Sequence, residues 1–279
     1  TMQSTSETSR RLTNEARIEA VNRQKKRNSF QLAMRSLIGV LGFLLLWQAA
    51  VLAGILPSRY VPAPTEVIAL FATKLVDPNP DGAVLGVHIM ASLQVALTGF
   101  LLAIVIGIPL GLFMGWFRGF DKFMRPIFEI LRPIPPVSWI PLTIIWMGIG
   151  LQAKAFIVFF SAFVPCVINS YTGIKQSSPV LINVAKTCGA SNFTVFCKIG
   201  VPSAMTFAGV RVALGNAWAT LVAAEMLAAN AGLGYMILQG RQFARADIII
   251  LGIVVIGIIG VIFTSVLGLL EKKVLRWKR

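Results

Sequence analysis

Residues 91–117 read ASLQVALTGFLLAIVIGIPLGLFMGWF and contain no charged side chain. A helix needs about 20 predominantly apolar residues to cross the hydrocarbon core of a bilayer. This stretch therefore predicts a membrane-spanning helix.

Five other apolar segments are long enough, or nearly so, to cross a membrane. Together with the first they predict an all-α fold, a polytopic membrane helix bundle with six transmembrane helices. The third segment is the shortest, and the prolines at its start cannot donate to a helical hydrogen-bond ladder. We expect it to span with an irregular, proline-rich entrance, since backbone breaks are tolerated where protein covers them. The six segments are Leu37–Leu56, Ala91–Phe117, Ile134–Ile149, Ala155–Ile174, Ala204–Ala229 and Ile248–Leu270.

The composition supports a membrane protein. Of the 279 residues, 56% are hydrophobic and 13% charged, whereas a soluble domain averages about 45–50% apolar and about 25% charged. A mean hydropathy of +0.76 excludes an ordinary soluble enzyme and a disordered protein. The net charge of +15 would suggest nucleic acid in a soluble protein, but here the basic residues lie between apolar runs. We therefore expect a lipid bilayer as partner and no nucleic acid.

Lysine and arginine are distributed unevenly among the connecting segments. Both terminal tails and the 118–133 and 175–203 loops carry 20 of them together, and the alternate loops carry five. Cytoplasmic segments are enriched in these residues, so both termini are predicted to be cytoplasmic, as six spans require. The first apolar run lacks a cleavage site and is predicted to anchor the chain. The predicted domains are a basic tail at 1–36, a transmembrane domain at 37–270 and a basic tail at 271–279.

The 175–203 loop is longer and more apolar than a simple connection needs. Ser178 and Pro179 fit the N-cap and the first position of a helix, and Gly189 fits its C-terminal stop. Ser191 can cap a second short helix, and Pro202 can open the next span. The predicted helix has one apolar face, which must be buried against something, and a cytoplasmic partner protein is the natural candidate. The residues of that face are Leu181, Val184, Ala185 and Cys188.

Glycines recur every four residues in the second apolar segment, at Gly107, Gly111 and Gly115. Such a row allows close helix packing, either within the chain or between two copies, although membrane helices are rich in glycine in general. The row is therefore predicted to mark a close helix–helix contact, either with another helix of this chain or with a second copy.

Residues for bond chemistry are missing from the sequence. No lysine follows a glycine, so the chain cannot supply the phosphate-binding loop of an ATPase. Three cysteines without CxxC spacing and one histidine do not make a metal site, and His88 is interpreted as an interfacial residue at a helix end. We expect no enzyme, catalytic residue, metal or cofactor on this chain.

The 175–203 loop resembles the EAA motif of permease subunits of ABC importers, which reads Glu-Ala-Ala, three residues, Gly, nine residues, Ile, any residue, Leu-Pro. Asn183 and Val184 stand where the motif has its glutamate and first alanine, and Val201 stands for leucine. Four residues match at the motif's spacing: Ala185, Gly189, Ile199 and Pro202. The helical spacing is preserved, but the salt bridge of the motif's glutamate is not expected.

Four other strings resemble the taurine, sulfonate, nitrate and bicarbonate branch of these permeases, with the taurine and aliphatic sulfonate members most similar. The strings are RPIPPVSWIP at 132–141, MGIG at 147–150, VAAEM at 222–226 and GLGYM at 232–236. The resemblance implies a type I importer permease in a bacterial inner membrane that carries a small anion, with taurine or another aliphatic sulfonate as first choice and nitrate or bicarbonate as the alternative.

The resemblance also implies the partners. Two copies of the permease would form the path, an external solute-binding protein would deliver the substrate, and two ATPase subunits, which bind ATP and magnesium, would hold the loop. The implied ATPase-coupling residues are Leu181, Val184, Ala185, Gly189, Ile199 and Pro202.

The fifth apolar segment places Arg211, Trp218 and Glu225 on one face at seven-residue intervals. About 21 Å separates Arg211 from Glu225, so they cannot pair with each other. A charge in lipid costs at least about 2.5 kcal/mol, so each should face protein or water. Arg211 is a candidate anion contact or a structural anchor, and Glu225 a candidate holder of the external gate loop. Trp139 and Trp218 are candidate path residues, with ordinary packing as the alternative.

Two other classes of function would leave different signatures in the sequence. An ion-coupled secondary transporter needs membrane carboxylates or histidines for its coupling ion, often with inverted repeats. Only Glu225 qualifies within the predicted spans, and no repeat is evident. An intramembrane enzyme is disfavoured because the sequence has no nucleophile–base or metal-ligand pattern.

Overall fold

The computed structural model describes residues 24, 31, 34–201, 207–228 and 230–274, which form helices joined by turns and loops and contain no β-strand. The all-α prediction is confirmed. A 3-10 helix (Pro136–Trp139) precedes α5, and a π-helical turn (Phe196–Gly200) follows α8. The α-helices are α1 (Met34–Leu52), α2 (Pro64–Lys74), α3 (Leu85–Trp116), α4 (Arg118–Leu131), α5 (Ile140–Met147), α6 (Leu151–Lys175), α7 (Pro179–Thr187), α8 (Asn192–Val195), α9 (Phe207–Ala228), α10 (Leu233–Gln242) and α11 (Ala246–Val274).

Four helices of the described residues are long and apolar enough to cross a membrane: α1, α3, α6 and the Ala246–Glu271 part of α11. Helix α9 has 22 residues and is not among these four. Over Ile134–Ile149 the structure has the irregular, proline-rich entrance that the sequence predicts, a 3-10 helix followed by the eight-residue α5, and the crossing of a membrane by this segment stays a prediction. Its prolines interrupt the helical ladder, and α4 and the Pro136–Met147 segment meet at 84°. The count of six spans is therefore not confirmed.

The chain divides into two compact units, the first ending at Glu66 and the second beginning at Val67. In the first unit, the Gln48 side-chain oxygen accepts from the backbone and the hydroxyl of Thr65, each at 3.4 Å. The predicted domain limits at 36/37 and 270/271 stay predictions. Residues 1–23, 25–30, 32–33 and 275–279 of the predicted tails, Pro202, and residues 204–206 and 229 of the predicted fifth segment lie outside the described residues.

Helices α3 and α6 form a close seam in the second unit. A Cβ at Gly99 would lie 2.6 Å from the carbonyl oxygen of Ala155, and one at Gly107 would lie 2.9 Å from the Cβ of Cys166. Cβ atoms at Gly111 and Gly115 would collide with Val167 and Ile174 of α6. The glycine row is therefore a seam within the chain, because α6 already occupies the surface that a second copy would need. Helices α9 and α11 complete this core through Ala213, Ala217, Leu221, Leu251 and Val255.

Candidate functional site

Helix α3 has a candidate site at each end. His88 lies in its first turn and Trp116 is its last residue, so at 1.5 Å per residue about 42 Å separates them. The 179–200 segment packs at the Trp116 end. A buried polar network lies at the His88 end.

The 179–200 segment begins with α7, and its turns follow the sequence signals. Gly189 has φ +81, the left-handed conformation that glycine adopts without a steric penalty, and its N–H donates to the carbonyl of Lys186 at 3.0 Å. The Ser191 hydroxyl accepts from the N–H of Thr194 at 3.2 Å, as predicted for a cap. Ser178 occupies the N-cap position of α7, but its side chain makes no cap hydrogen bond.

The predicted apolar face of α7 is not covered by the described part of the chain. Leu181 is 57% exposed and Val184 is 56% exposed. Cys188 is exposed and Ala185 is half-buried, as is Ile199 in the π-helical turn. An exposed apolar face of this kind marks an interaction site.

A cluster of aromatic side chains packs the 179–200 segment against α3. Phe196 is buried, and its ring centroid lies 5.6 Å from that of Trp116 and 5.7 Å from that of Phe113. A Cβ at Gly200 would lie 3.1 Å from the Trp116 ring and 3.3 Å from Ile174, so this glycine allows close packing on α3 and α6. Phe196 could not be identified from the sequence, because its partners are about 80 residues away in the chain and no local pattern indicates the contact.

The backbone N–H groups of the N-cap and of the first two residues of α10 are bound by side chains of other helices. Gly232 donates to His88 Nδ1 at 3.1 Å, Leu233 to Ser92 Oγ at 2.8 Å and Gly234 to Glu225 Oε2 at 2.9 Å. The Ser92 hydroxyl donates in turn to Glu225 at 2.8 Å. The N–H groups at a helix start have no partner within the helix, so α3 and α9 supply one for each. We call His88, Ser92 and Glu225 the α10 cap; all three are fully buried.

The α10 cap explains two glycines. Gly232 has φ +136, and a Cβ there would lie 2.5 Å from the Glu225 carboxyl carbon. A Cβ at Gly234 would lie 2.6 Å from the carbonyl oxygen of Val222. Only glycine lets the backbone come this close to the carboxylate.

The network continues beyond His88 into the loop between α2 and α3. Since His88 Nδ1 accepts from Gly232, the ring proton lies on Nε2, which is 3.0 Å from Asp81 Oδ2. Lys74 pairs with the other Asp81 oxygen and donates to the carbonyls of Asn79 and Ala83, each at 3.1 Å. Burial alone would raise the pKa of the Asp81 carboxyl, but the contacts from His88 and Lys74 outweigh it and hold that pKa below its usual range.

Lys74, Asp81 and Ser92 gave no functional signal in the sequence. His88 lies at a helix end, as interpreted, but its side chain is fully buried within the chain. A lysine and an aspartate seven residues apart in a predicted loop give no signal of burial. Glu225 was identified from its charge within an apolar segment. Its carboxylate lies against Gly232 and accepts from the N–H of Gly234, which is the position expected of a residue that holds the loop before α10.

The remaining predicted path residues lie in two other places. Arg211 and Trp218 line one cavity of 420 Å³ between α9 and α11. Arg211 pairs with Glu271, and the two side chains are 49% and 31% exposed. Trp218 donates to the carbonyl of Ile256 at 3.1 Å. Trp139 packs on Phe160 with centroids 5.3 Å apart, away from that cavity.

Comparisons with known proteins agree with the sequence motifs. A family model described as "Binding-protein-dependent transport system inner membrane component" matches residues 107–276. The taurine transport system permease protein TauC of Escherichia coli is 34% identical, covering 86% of this chain and 88% of that protein. The nitrate import permease protein NrtB of Synechococcus elongatus is 34% identical, covering 78% and 81%. A probable ABC transporter permease protein of Brucella abortus is 34% identical, covering 78% and 86%.

Proposed function

The chain belongs to the family of binding-protein-dependent transport system inner membrane components, and we propose that it is the membrane permease subunit of an ATP-driven importer of a small anion. Its relatives are ABC permeases, so it is a transport component and a multi-pass membrane protein. The proposal concerns the energy source, the partners and the substrate.

Taurine or another aliphatic sulfonate is the first candidate substrate, since TauC is a taurine permease by name. Nitrate is the second candidate, since NrtB is a nitrate permease by name and has the same 34% identity to this chain. Bicarbonate stays the further alternative that the sequence motifs imply. These anions share a compact charge spread over several oxygens. Arg211 is the candidate contact, because a planar guanidinium binds two such oxygens at once.

Two ATPase subunits bind the 179–200 segment through the exposed face of α7, and a second copy of the permease completes the path. ATP and magnesium are bound by the ATPase subunits and not by this chain. An external binding protein delivers the anion to the opposite side. Both termini are cytoplasmic, and the membrane is the bacterial inner membrane.

The observation that carries the proposal is the exposed apolar face of α7 on a segment packed firmly against α3. Closure of the ATPase subunits would move α7, and Phe196 would transmit that motion to α3 as rigid-body rotation. The proposed coupling residues are Leu181, Val184, Ala185, Gly189, Ile199 and Pro202.

The test is copurification of the ATPase subunit with Leu181→Asp and Val184→Asp. Loss of a buried apolar anchor at a hot spot is worth about 2 kcal/mol or more, so recovery of the ATPase should fall about 30-fold or more. Val76→Asp is the matched control, since Val76 is 81% exposed in the loop before α3. Unchanged recovery with both α7 variants would contradict the proposal.

Uptake into proteoliposomes separates the substrates and the rival class. The complex and its binding protein are supplied with labelled taurine, nitrate or bicarbonate, with and without enclosed ATP. We expect ATP-dependent uptake of taurine. Uptake that needs an ion gradient and no ATP would indicate a secondary transporter instead.

A further inference from the structure

Helix α4 connects α3 to the proline-rich 3-10 segment and does not continue the direction of that segment. It begins at Arg118, two residues after α3 ends at Trp116, and it makes an angle of 84° with the Pro136–Met147 segment. A helix that starts where a span ends lies near the surface of the bilayer.

One side of α4 packs on the core. Phe128 is buried, and it forms a cluster with Met114 of α3 and Val167 of α6, joined by Met124. This contact fixes how α4 is rotated about its own axis.

The apolar side of α4 is left exposed. It carries four side chains that follow helical spacing and so share one sector of the surface. These are Phe120, Phe123, Ile127 and Ile130, with exposed fractions of 38%, 68%, 43% and 70%.

The charged side lies almost opposite. At about 100° per residue, the centre of the apolar sector is about 150° from that of a sector carrying Arg118, Lys122, Arg125 and Glu129. The packed sector lies between them, at about 100° from each. A helix lying flat in a membrane surface has this arrangement, with apolar side chains toward the acyl chains, charges toward water and one flank against the spans.

The charged residues of α4 also indicate what kind of surface this helix binds. Five charged residues in 14 positions make α4 costly to place across the hydrocarbon core. Asp121 is bound by Arg125, with Nη2 and Oδ2 2.7 Å apart, so its charge is already balanced. Arg118 and Lys122 are exposed and exceed the remaining negative charge of Glu129. An anionic surface complements this balance.

We propose that α4 is an interfacial helix that binds an anionic phospholipid surface, with Phe123 and Ile130 in the acyl-chain region and Arg118 and Lys122 at the headgroups. The proposal rests on the membrane permease assignment and on nothing about the substrate. Its readout is lipid contact and not uptake, so its failure is distinguishable from failure of the proposed function.

The first test is fluorescence quenching in the full complex, reconstituted in vesicles of phosphatidylglycerol and phosphatidylcholine. Cys188 and Cys197 are exposed and are replaced by serine; a thiol fluorophore is then placed at Phe123→Cys, Ile130→Cys or Lys122→Cys. We expect brominated acyl chains to quench the first two labels more than the third, and acrylamide in the water to show the reverse order. Equal quenching by acrylamide at all three sites would overturn the proposal. Protection of Phe123→Cys and Ile130→Cys from both quenchers would also overturn it, and would indicate that a second copy covers this face.

The second test compares brominated phosphatidylglycerol with brominated phosphatidylcholine at equal mole fraction, with the label at Phe123→Cys. Adding Lys122→Gln should lower the preference for phosphatidylglycerol about fivefold, the contribution of one basic residue near an anionic surface. Arg241→Gln is the control, an exposed basic residue of α10 outside α4 and outside the 179–200 segment, and should leave the preference unchanged. An unchanged preference with Lys122→Gln would overturn the assignment to an anionic surface.

Discussion

The two ends of α3 differ in an instructive way. At one end the α10 cap, Asp81 and Lys74 bury polar and charged groups almost completely. At the other end α7 exposes leucine and valine side chains. Charged and polar side chains are usually exposed and large apolar ones usually buried, so both regions depart from the usual pattern.

The two ends differ in whether the groups that contact these side chains belong to the same chain or to another molecule. The buried polar groups bind one another within the chain, as burial without a partner would be costly. The exposed apolar groups have no such partner in the described residues, so a second molecule must cover them. Substitutions at the first end should therefore act on stability, and substitutions at the second on assembly and coupling.

The largest effect is expected for Asp81→Asn. The change leaves the Lys74 charge buried without its counter-charge, which costs about 3–5 kcal/mol and should lower the thermal unfolding temperature of the purified protein. Asp77→Asn is the control, since asparagine keeps the oxygen that accepts from the Asn79 N–H at 2.9 Å, and should change stability by less than about 0.5 kcal/mol.

Acidification should abolish the difference in stability between the native protein and Asp81→Asn. Because the pKa of Asp81 is lowered in the folded state, its stabilisation is complete above the ordinary pKa of about 3.9 and is lost as pH falls through the folded value. The native protein and Asp81→Asn should therefore differ at neutral pH and converge well below pH of about 4. Equal unfolding temperatures at neutral pH would contradict a structural role for this pair.

An intermediate effect is expected for Gly189→Asp. The backbone at φ +81 makes a side chain there cost about 1 kcal/mol, and a Cβ would meet no atom within 4 Å, so the chain should remain folded. The added charge lies at the C-terminus of α7, where the helix dipole disfavours it, beside the proposed ATPase surface. We expect ATP hydrolysis without uptake in the reconstituted complex.

Gly189→Asn is the matched control, since asparagine tolerates the left-handed conformation and adds no charge. It should retain coupled uptake. Normal uptake by Gly189→Asp would remove the coupling role from this turn.

The smallest effect on stability is expected for Arg211→Ala. Its ion pair with Glu271 is partly exposed, and such pairs contribute about 0–1 kcal/mol, so the yield of assembled complex should be nearly unchanged. Glu271→Gln removes the same pair and keeps the guanidinium. Uptake lost in Arg211→Ala and retained in Glu271→Gln would assign Arg211 to the path, and loss of assembly in both would assign it to a structural role.

Much of the 179–200 segment could be predicted because its signals are local. Pro179 begins a helix, Gly189 ends it and Ser191 caps the next, each within a few residues of the feature that it determines. The prolines at 133–136 likewise predicted an irregular backbone. They did not predict the 84° angle, because that depends on how α4 and α5 pack against α3 and α6.

By itself the sequence determined the helical class, the apolar stretches, the family motifs and the apolar face of α7, since periodicity and composition are properties of neighbouring residues. Only the tertiary structure decided the partner of the glycine row, the attachment of Phe196 and the α10 cap. Ser92 and Glu225 are 133 residues apart, and His88 and Gly232 are 144 apart. A serine or a histidine in an apolar helix has many ways to satisfy its hydrogen bonds, and only packing brings one particular backbone N–H within reach of it.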